Sequence, residues 1–125
     1  MENKIKILSE RIISIKKELS ELGDMHPGSL STQYNVCGNK SCACKDPVNP
    51  KKHGPYNQLS FSRRGKSSTR FIKEHNLEEV RKQVSNHKKF RALTEEWIDI
   101  SVEIAKLRKE IEIAKLKKTK AKKKN

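Results

Sequence analysis

Apolar residues at Ile5, Leu8, Ile12, Ile15, Leu19 and Leu22 recur at intervals of 3, 4, 3, 4 and 3, with Lys, Glu and Ser between them. That spacing is one seam of an amphipathic helix, the a and d positions of a heptad. It predicts a helix over residues 4–22, roughly 28 Å long. Gly23 then reads as its C-cap, and Pro27-Gly28 as the break. A second pattern begins at Asn76, a good N-cap, with Glu78 and Glu79 suiting the positive end of a helix dipole. No Gly or Pro follows it. Val80, Val84 and Phe90 open its apolar stripe. From Leu93 through Trp97, Ile100, Ile104, Leu107, Ile111 and Ala114 the intervals are 4, 3, 4, 3, 4 and 3. A helix of about 40 residues would reach roughly 60 Å, and a lone amphipathic rod of that kind needs its seam covered.

The pattern therefore predicts a mainly α protein: a long antiparallel helical hairpin or coiled coil carrying an insert. Residues 1–23 would form the N-terminal coiled-coil helix, 24–75 the insert, 76–116 the long C-terminal helix, and 117–125 a basic tail. The first helix covers half of the long seam at most. A homodimer or higher oligomer is expected to cover the rest; the rival is a monomer whose insert packs on Val80, Val84 and Phe90. Within the insert, residues 55–61 and 67–72 read as two strands around a turn at Ser62–Lys66 containing Gly65. Thr69, Phe71 and Ile72 favour such extended pairing.

Composition changes this picture in one respect. Apolar residues make up 33% of the chain, below the roughly 45–50% of ordinary globular domains, so a large core is excluded. The net charge of +14 is unevenly spread. Residues 1–22 hold five Lys or Arg against four Glu, whereas residues 40–73 hold nine against one acid, Asp46. Residues 106–125 hold ten against two. Two basic blocks point to a polyanionic partner, most simply nucleic acid; the rival is a solvated surface with a disordered tail. The N-terminus lacks the apolar core of a signal peptide, and no stretch approaches the ~20 apolar residues of a membrane span. A cytoplasmic protein is expected.

The three cysteines, Cys37, Cys42 and Cys44, fall within eight residues. An odd, clustered set argues against a secreted disulfide framework and for a metal site in a reducing compartment. His53 follows nine residues after Cys44, beyond a loop containing Gly38, Asp46, Pro47, Asn49 and Pro50. Cys37, Cys42, Cys44 and His53 make a Cys3His set, a common structural Zn2+ site, and would staple an insert too small to hold itself by burial. The rivals are a redox-sensitive thiol cluster or unligated cysteines. Four protein ligands leave no position for a catalytic water. A Gly-rich phosphate loop, a deaminase signature and an acid cluster for magnesium are all missing from the sequence, and a non-enzymatic role is expected.

Arg63, Arg64 and Lys66 fall at the hairpin tip, Arg70 and Lys73 on the return strand, and Lys51 and Lys52 beside the Cys loop. Interleaved Ser and Thr hydroxyls complete a set of phosphate donors, and a two-stranded ribbon fits the DNA major groove. These seven residues are the candidate nucleic-acid contacts. The rival is an edge hairpin whose charges prevent aggregation.

Taken in order, Pro27-Gly28-Ser29-Leu30-Ser31, Tyr34, Cys37-Gly38, Cys42-Ala43-Cys44, Lys45-Asp46, His53-Gly54-Pro55-Tyr56 and Leu59-Ser60 resemble a family of small, mostly uncharacterised bacterial proteins known as a domain of unknown function. The resemblance covers residues 27–72 and extends into the following helix; it carries over Cys37, Cys42, Cys44 and His53 as metal ligands and no catalytic residue. Size, basicity and layout also resemble the third, accessory (TnpC-type) protein of transposons moved by paired tyrosine recombinases. That likeness implies a non-catalytic DNA-binding protein that modulates the efficiency or orientation of recombination. An adaptor whose long helix engages a recombinase, or an RNA-binding protein, would share these features.

Overall fold

A computed structural model of the chain describes the backbone of residues 1–123 and the side chains of residues 1–119. Its elements are α1 (Glu2–Ser20), β1 (Ser29–Asn35), β2 (His53–Arg63), β3 (Lys66–Ile72) and α2 (Leu77–Lys123), with short 3-10 helices at Ala43–Lys45 and Glu74–Asn76. The expected mainly α hairpin or coiled coil is not what forms. The chain is α+β: two helices, one of them long, and a three-stranded antiparallel sheet in the order β1-β2-β3. The tight backbone pairing lies between strands. The error arose at β1, whose residues Ser-Leu-Ser-Thr-Gln-Tyr-Asn are exposed along nearly their whole length. With Leu30 its one aliphatic residue, this strand carries no alternation that a pattern search can register.

The chain divides into two compact units, one of residues 23–88 and one of residues 1–22 with the chain from Lys89 onward. In the sheet unit, β2 is the central strand. Leu30 pairs with Leu59, which pairs with Arg70, and Thr32 pairs with Asn57, which pairs with Ile72. Directly opposed residues share a face, and this row buries Leu59 and Asn57, exposed 3% and 7%. A buried amide is tolerated only when bonded. Thr32 Oγ1 donates to Asn57 Oδ1 (3.1 Å), and Asn57 Nδ2 donates to Glu74 Oε2 (3.2 Å). His26 closes the same face, with its ring edge-on to Phe61 at 4.7 Å and its backbone N–H donating to Gln83 O. Val84 is the buried residue on the first turns of α2.

The other unit is helical. The α1 seam is as expected, with Ile15 fully buried and Ile5, Leu8, Ile12 and Leu19 half-buried. On α2, Ile100 and Leu107 are buried, with Leu93, Trp97, Ile104 and Ile111 half-buried between and beside them. Arg11 donates to both oxygens of Glu96, Nε to Oε2 and Nη2 to Oε1 (2.8 Å). Lys16 Nζ sits 5.3 Å from the Trp97 ring centre. Helix α1 stops at Ser20 with Glu21 as a right-handed C-cap, so Gly23 does not supply the cap expected of it. Residues 117–123 of the expected basic tail continue α2; residues 124–125 lie outside the described residues. No described helix is long and apolar enough to cross a membrane.

Candidate metal centre

The cysteine loop is shaped by its own short-range hydrogen bonds. After β1 ends at Asn35, the Asn39 side-chain oxygen accepts from the Ser41 N–H (3.1 Å) and the Ser41 hydroxyl (2.9 Å). Asn and Asp favour such turns because their side chains reach the backbone two residues on. The Cys42 N–H donates to Asn39 O, which leads the chain into the 3-10 helix with Cys42 as N-cap. That helix brings Cys44 inward, 2% exposed. Asp46 makes a second turn of the same kind, its Oδ1 accepting from the Val48 and Asn49 N–H groups. Lys51 N–H then returns to Ala43 O (3.0 Å).

His53 is placed by the sheet. It is the first residue of β2 and pairs with Asn35 across an irregularity in β1. Gly54 makes this close approach possible: its φ is +135, and a Cβ there would lie 2.8 Å from Gln33 O. Only glycine suits such a position.

These elements bring the four expected ligands together. The ligand atoms of Cys37, Cys42, Cys44 and His53 all lie within 4.8 Å of one another. Cys37 Sγ is 3.5 Å from Cys44 Sγ, and Cys42 Sγ is 3.2 Å from His53 Nε2. A tetrahedral ion with metal–sulfur bonds of about 2.3 Å would set sulfurs about 3.8 Å apart, so the cluster is close to the size that one ion requires. All three cysteines are free thiols. Cys37 is pulled down to about 6, first by its backbone hydrogen bond at Asn39 and then by hydrogen bonds with His53, Cys44 and Cys42. Burial pushes the Cys44 thiol up. Crowded sulfurs that cannot all ionise unaided are a natural cation site, because a metal stabilises every thiolate at once. The four residues can hold a metal ion.

The basic candidates do not form one cluster. The tip is a two-residue turn in which Arg64 and Gly65 both have positive φ, +52 and +79, as a type I′ hairpin requires. Arg63 and Lys66 pair across it. Arg70 lies opposite Leu59, with its guanidinium 5.4 Å from the Phe61 ring centre. Lys73 precedes the second 3-10 helix, while Lys51 and Lys52 lead into His53 at the far end of β2. Sequence reasoning missed Asn39 and Asn57. The Asn-Lys-Ser turn was a readable signal for the first; the second, in mid-strand, had none.

No curated protein and no solved structure gives a significant match to the chain. One family profile covers residues 5–82, from α1 through the cysteine loop and the sheet into α2. The chain belongs to the family described as Domain of unknown function (DUF6788).

Proposed function

We propose that the protein is a non-catalytic, DNA-binding accessory factor whose sheet is stapled by one Zn2+ ion and presents a basic hairpin to the phosphate backbone. The observation that carries the reading is the position of the four ligands at one end of β2, with Arg63, Arg64 and Lys66 at its other end. Three thiolates and an imidazole suit zinc among the common metals. The ion would occupy a closed four-ligand site and act as a cross-link, holding the cysteine loop to the start of β2. A reducing, cytoplasmic setting fits such thiols. Transposition is the process that layout and charge suggest, by their likeness to TnpC-type accessory proteins, with tyrosine recombinases as partners.

Binding of the zinc-loaded full chain to duplex DNA, titrated against salt, tests the reading. Log affinity should fall linearly with log salt. Replacing Arg63, Arg64 and Lys66 together by Ala should weaken binding at least about tenfold and flatten the slope by up to about three, since each phosphate contact contributes about 0.9. Lys6→Ala with Lys17→Ala on α1 should do far less. A flat salt response, or equal losses in the two variants, overturns it.

A second reading has one observation in its favour. Ile98 and Val102, one turn apart on α2, are 56% and 65% exposed, an apolar strip on a highly charged helix. It would suit an adaptor that docks on a recombinase, or the expected homodimer. DNA binding that appears only when recombinase is added selects the adaptor.

A further inference from the structure

The outer face of the sheet has an unusual composition for so basic a chain. Across the strands, Ser29, Ser60 and Thr69 form one row, Ser31, Gln58 and Phe71 the next, and Gln33 and Tyr56 the last. Apart from half-buried Gln58, these residues are exposed, and none is charged in a protein with a net charge of +14. Phe71 is 69% exposed and Tyr56 39%, with their rings 6.4 Å apart and steeply inclined. Beside them a shallow cleft of about 440 Å³ is lined by Tyr56, Phe71, Ile72 and Lys73, among others. Glu74, the acid at this cleft, has Oε2 bonded to Asn57.

We infer that this face is a stacking platform for single-stranded nucleic acid, with Tyr56 and Phe71 each receiving an unpaired base. The inference rests on the nucleic-acid reading above and specifies the form of the ligand. Exposed aromatic rings on a sheet offer π-faces that any unstacked base can cover. In a duplex those base faces are already covered by their neighbours, so the rings gain little from it. Hydroxyl and amide side chains around the rings can bond base edges without imposing charge on them. Charge complementarity selects the occupant. The cationic groups border the platform rather than crossing it, with Arg64 at the hairpin tip, Lys73 two residues beyond Phe71, and Lys51 and Lys52 before β2. A strand laid over the face would stack its bases at the middle and meet positive charge with its phosphates at the margins. A neutral peptide or a second copy of this +14 chain would have no use for that border.

The experiment uses the zinc-loaded full chain and a short fluorescein-labelled oligonucleotide, presented once as a single strand and once annealed to its complement. Tyr56→Ala with Phe71→Ala should lower affinity for the single strand at least about tenfold, as loss of base stacking does, while changing duplex affinity less than about twofold. Tyr56→Phe with Phe71→Tyr should retain single-strand binding. The substituted side chains are solvent-facing, so metal content and circular dichroism should stay those of the wild type, which shows that the loss is local. A Phe71→Trp variant made with Trp97→Phe should be quenched by the single strand and not by the duplex. Unchanged single-strand affinity in the double Ala variant, or equal losses on both ligands, overturns the platform and leaves the DNA-binding function standing. Wild-type protein that binds neither ligand overturns that function itself, and the platform with it.

Discussion

The two units of this chain solve the same problem with different materials. Among the described residues, the helical unit buries only aliphatic side chains at its most protected positions, Ile15, Ile100 and Leu107, along the stripes that periodicity marks. The most protected positions of the sheet unit are Cys44, Leu59, Val84 and the amide of Asn57. Two aliphatic side chains make a meagre core for a segment of this length, in which each ordered residue costs roughly 1–2 kcal/mol of backbone entropy. Beside that small core the segment has local hydrogen bonds and four grouped side chains that can hold a metal ion. The contrast teaches that a highly charged chain can bury an aliphatic stripe in one region and, in the other, pair a meagre core with four grouped side chains that can hold a metal ion.

The largest expected effect breaks that comparison open. Structural zinc contributes apparent binding energies of about 10–16 kcal/mol to small domains at neutral pH, more than the whole stability of many of them. Strong chelation, or Cys44→Ser, should therefore abolish amide-exchange protection across residues 29–72. Protection around Ile15 and Ile100 should persist, because those residues belong to the other unit. Exchange that rises equally in both units, or in neither, would show that the division of labour is wrong.

The same contrast explains what could be read in the sequence. The α1 seam and the α2 stripe were legible because burial by a helix leaves a period in the residues themselves. Ile15, Ile100 and Leu107 fall on it. The Cys3His cluster was legible because thiols and imidazole are rare and their grouping is conspicuous, whatever the backbone does between them. Strand β1 was illegible. Its partners on β2 lie 18 to 31 residues away, as in Asn35 with His53 and Ser29 with Ser60, and Leu30 is its one aliphatic residue. Such a strand is specified by what it pairs with and not by a pattern of its own. Missing it turned a three-stranded sheet into a hairpin insert and the whole fold into a helical one. The open aromatic face was hidden for the same reason, since Tyr56 and Phe71 become neighbours only once the β2–β3 register is known.

An intermediate effect sharpens the comparison from the helical side. Ile15 is fully buried, and truncating such a side chain to Ala typically costs about 2–5 kcal/mol through lost transfer energy and the cavity left behind. Ile15→Ala should lower the midpoint of thermal unfolding and raise exchange along α1 and the Trp97–Leu107 stretch of α2. Metal content should remain one ion per chain, because none of the four ligands lies in this unit. A variant that lost its metal would reveal a coupling between the two regions that their separate cores do not imply.

The smallest expected effect concerns the ion pair that decorates the aliphatic unit. The Arg11 guanidinium, through its hydrogen bonds and charge, holds the Glu96 carboxyl below its ordinary value of 4.5. A carboxylate with a depressed folded-state pKa stabilises the fold above the unfolded-state value, and that contribution is lost as pH falls through the folded-state one. Both side chains are about 40% exposed, at 40% and 41%, so solvent and salt screen the pair and its contribution is minor. Glu96→Gln should thus be slightly less stable than the wild type at neutral pH and low salt. The gap should close both on adding salt and on acidifying below 4.5. Thermal unfolding of the two proteins across that range measures it directly. A gap that persists in acid would assign the role of Glu96 to packing along α2 rather than to its charge, leaving the helical unit held by aliphatic burial alone.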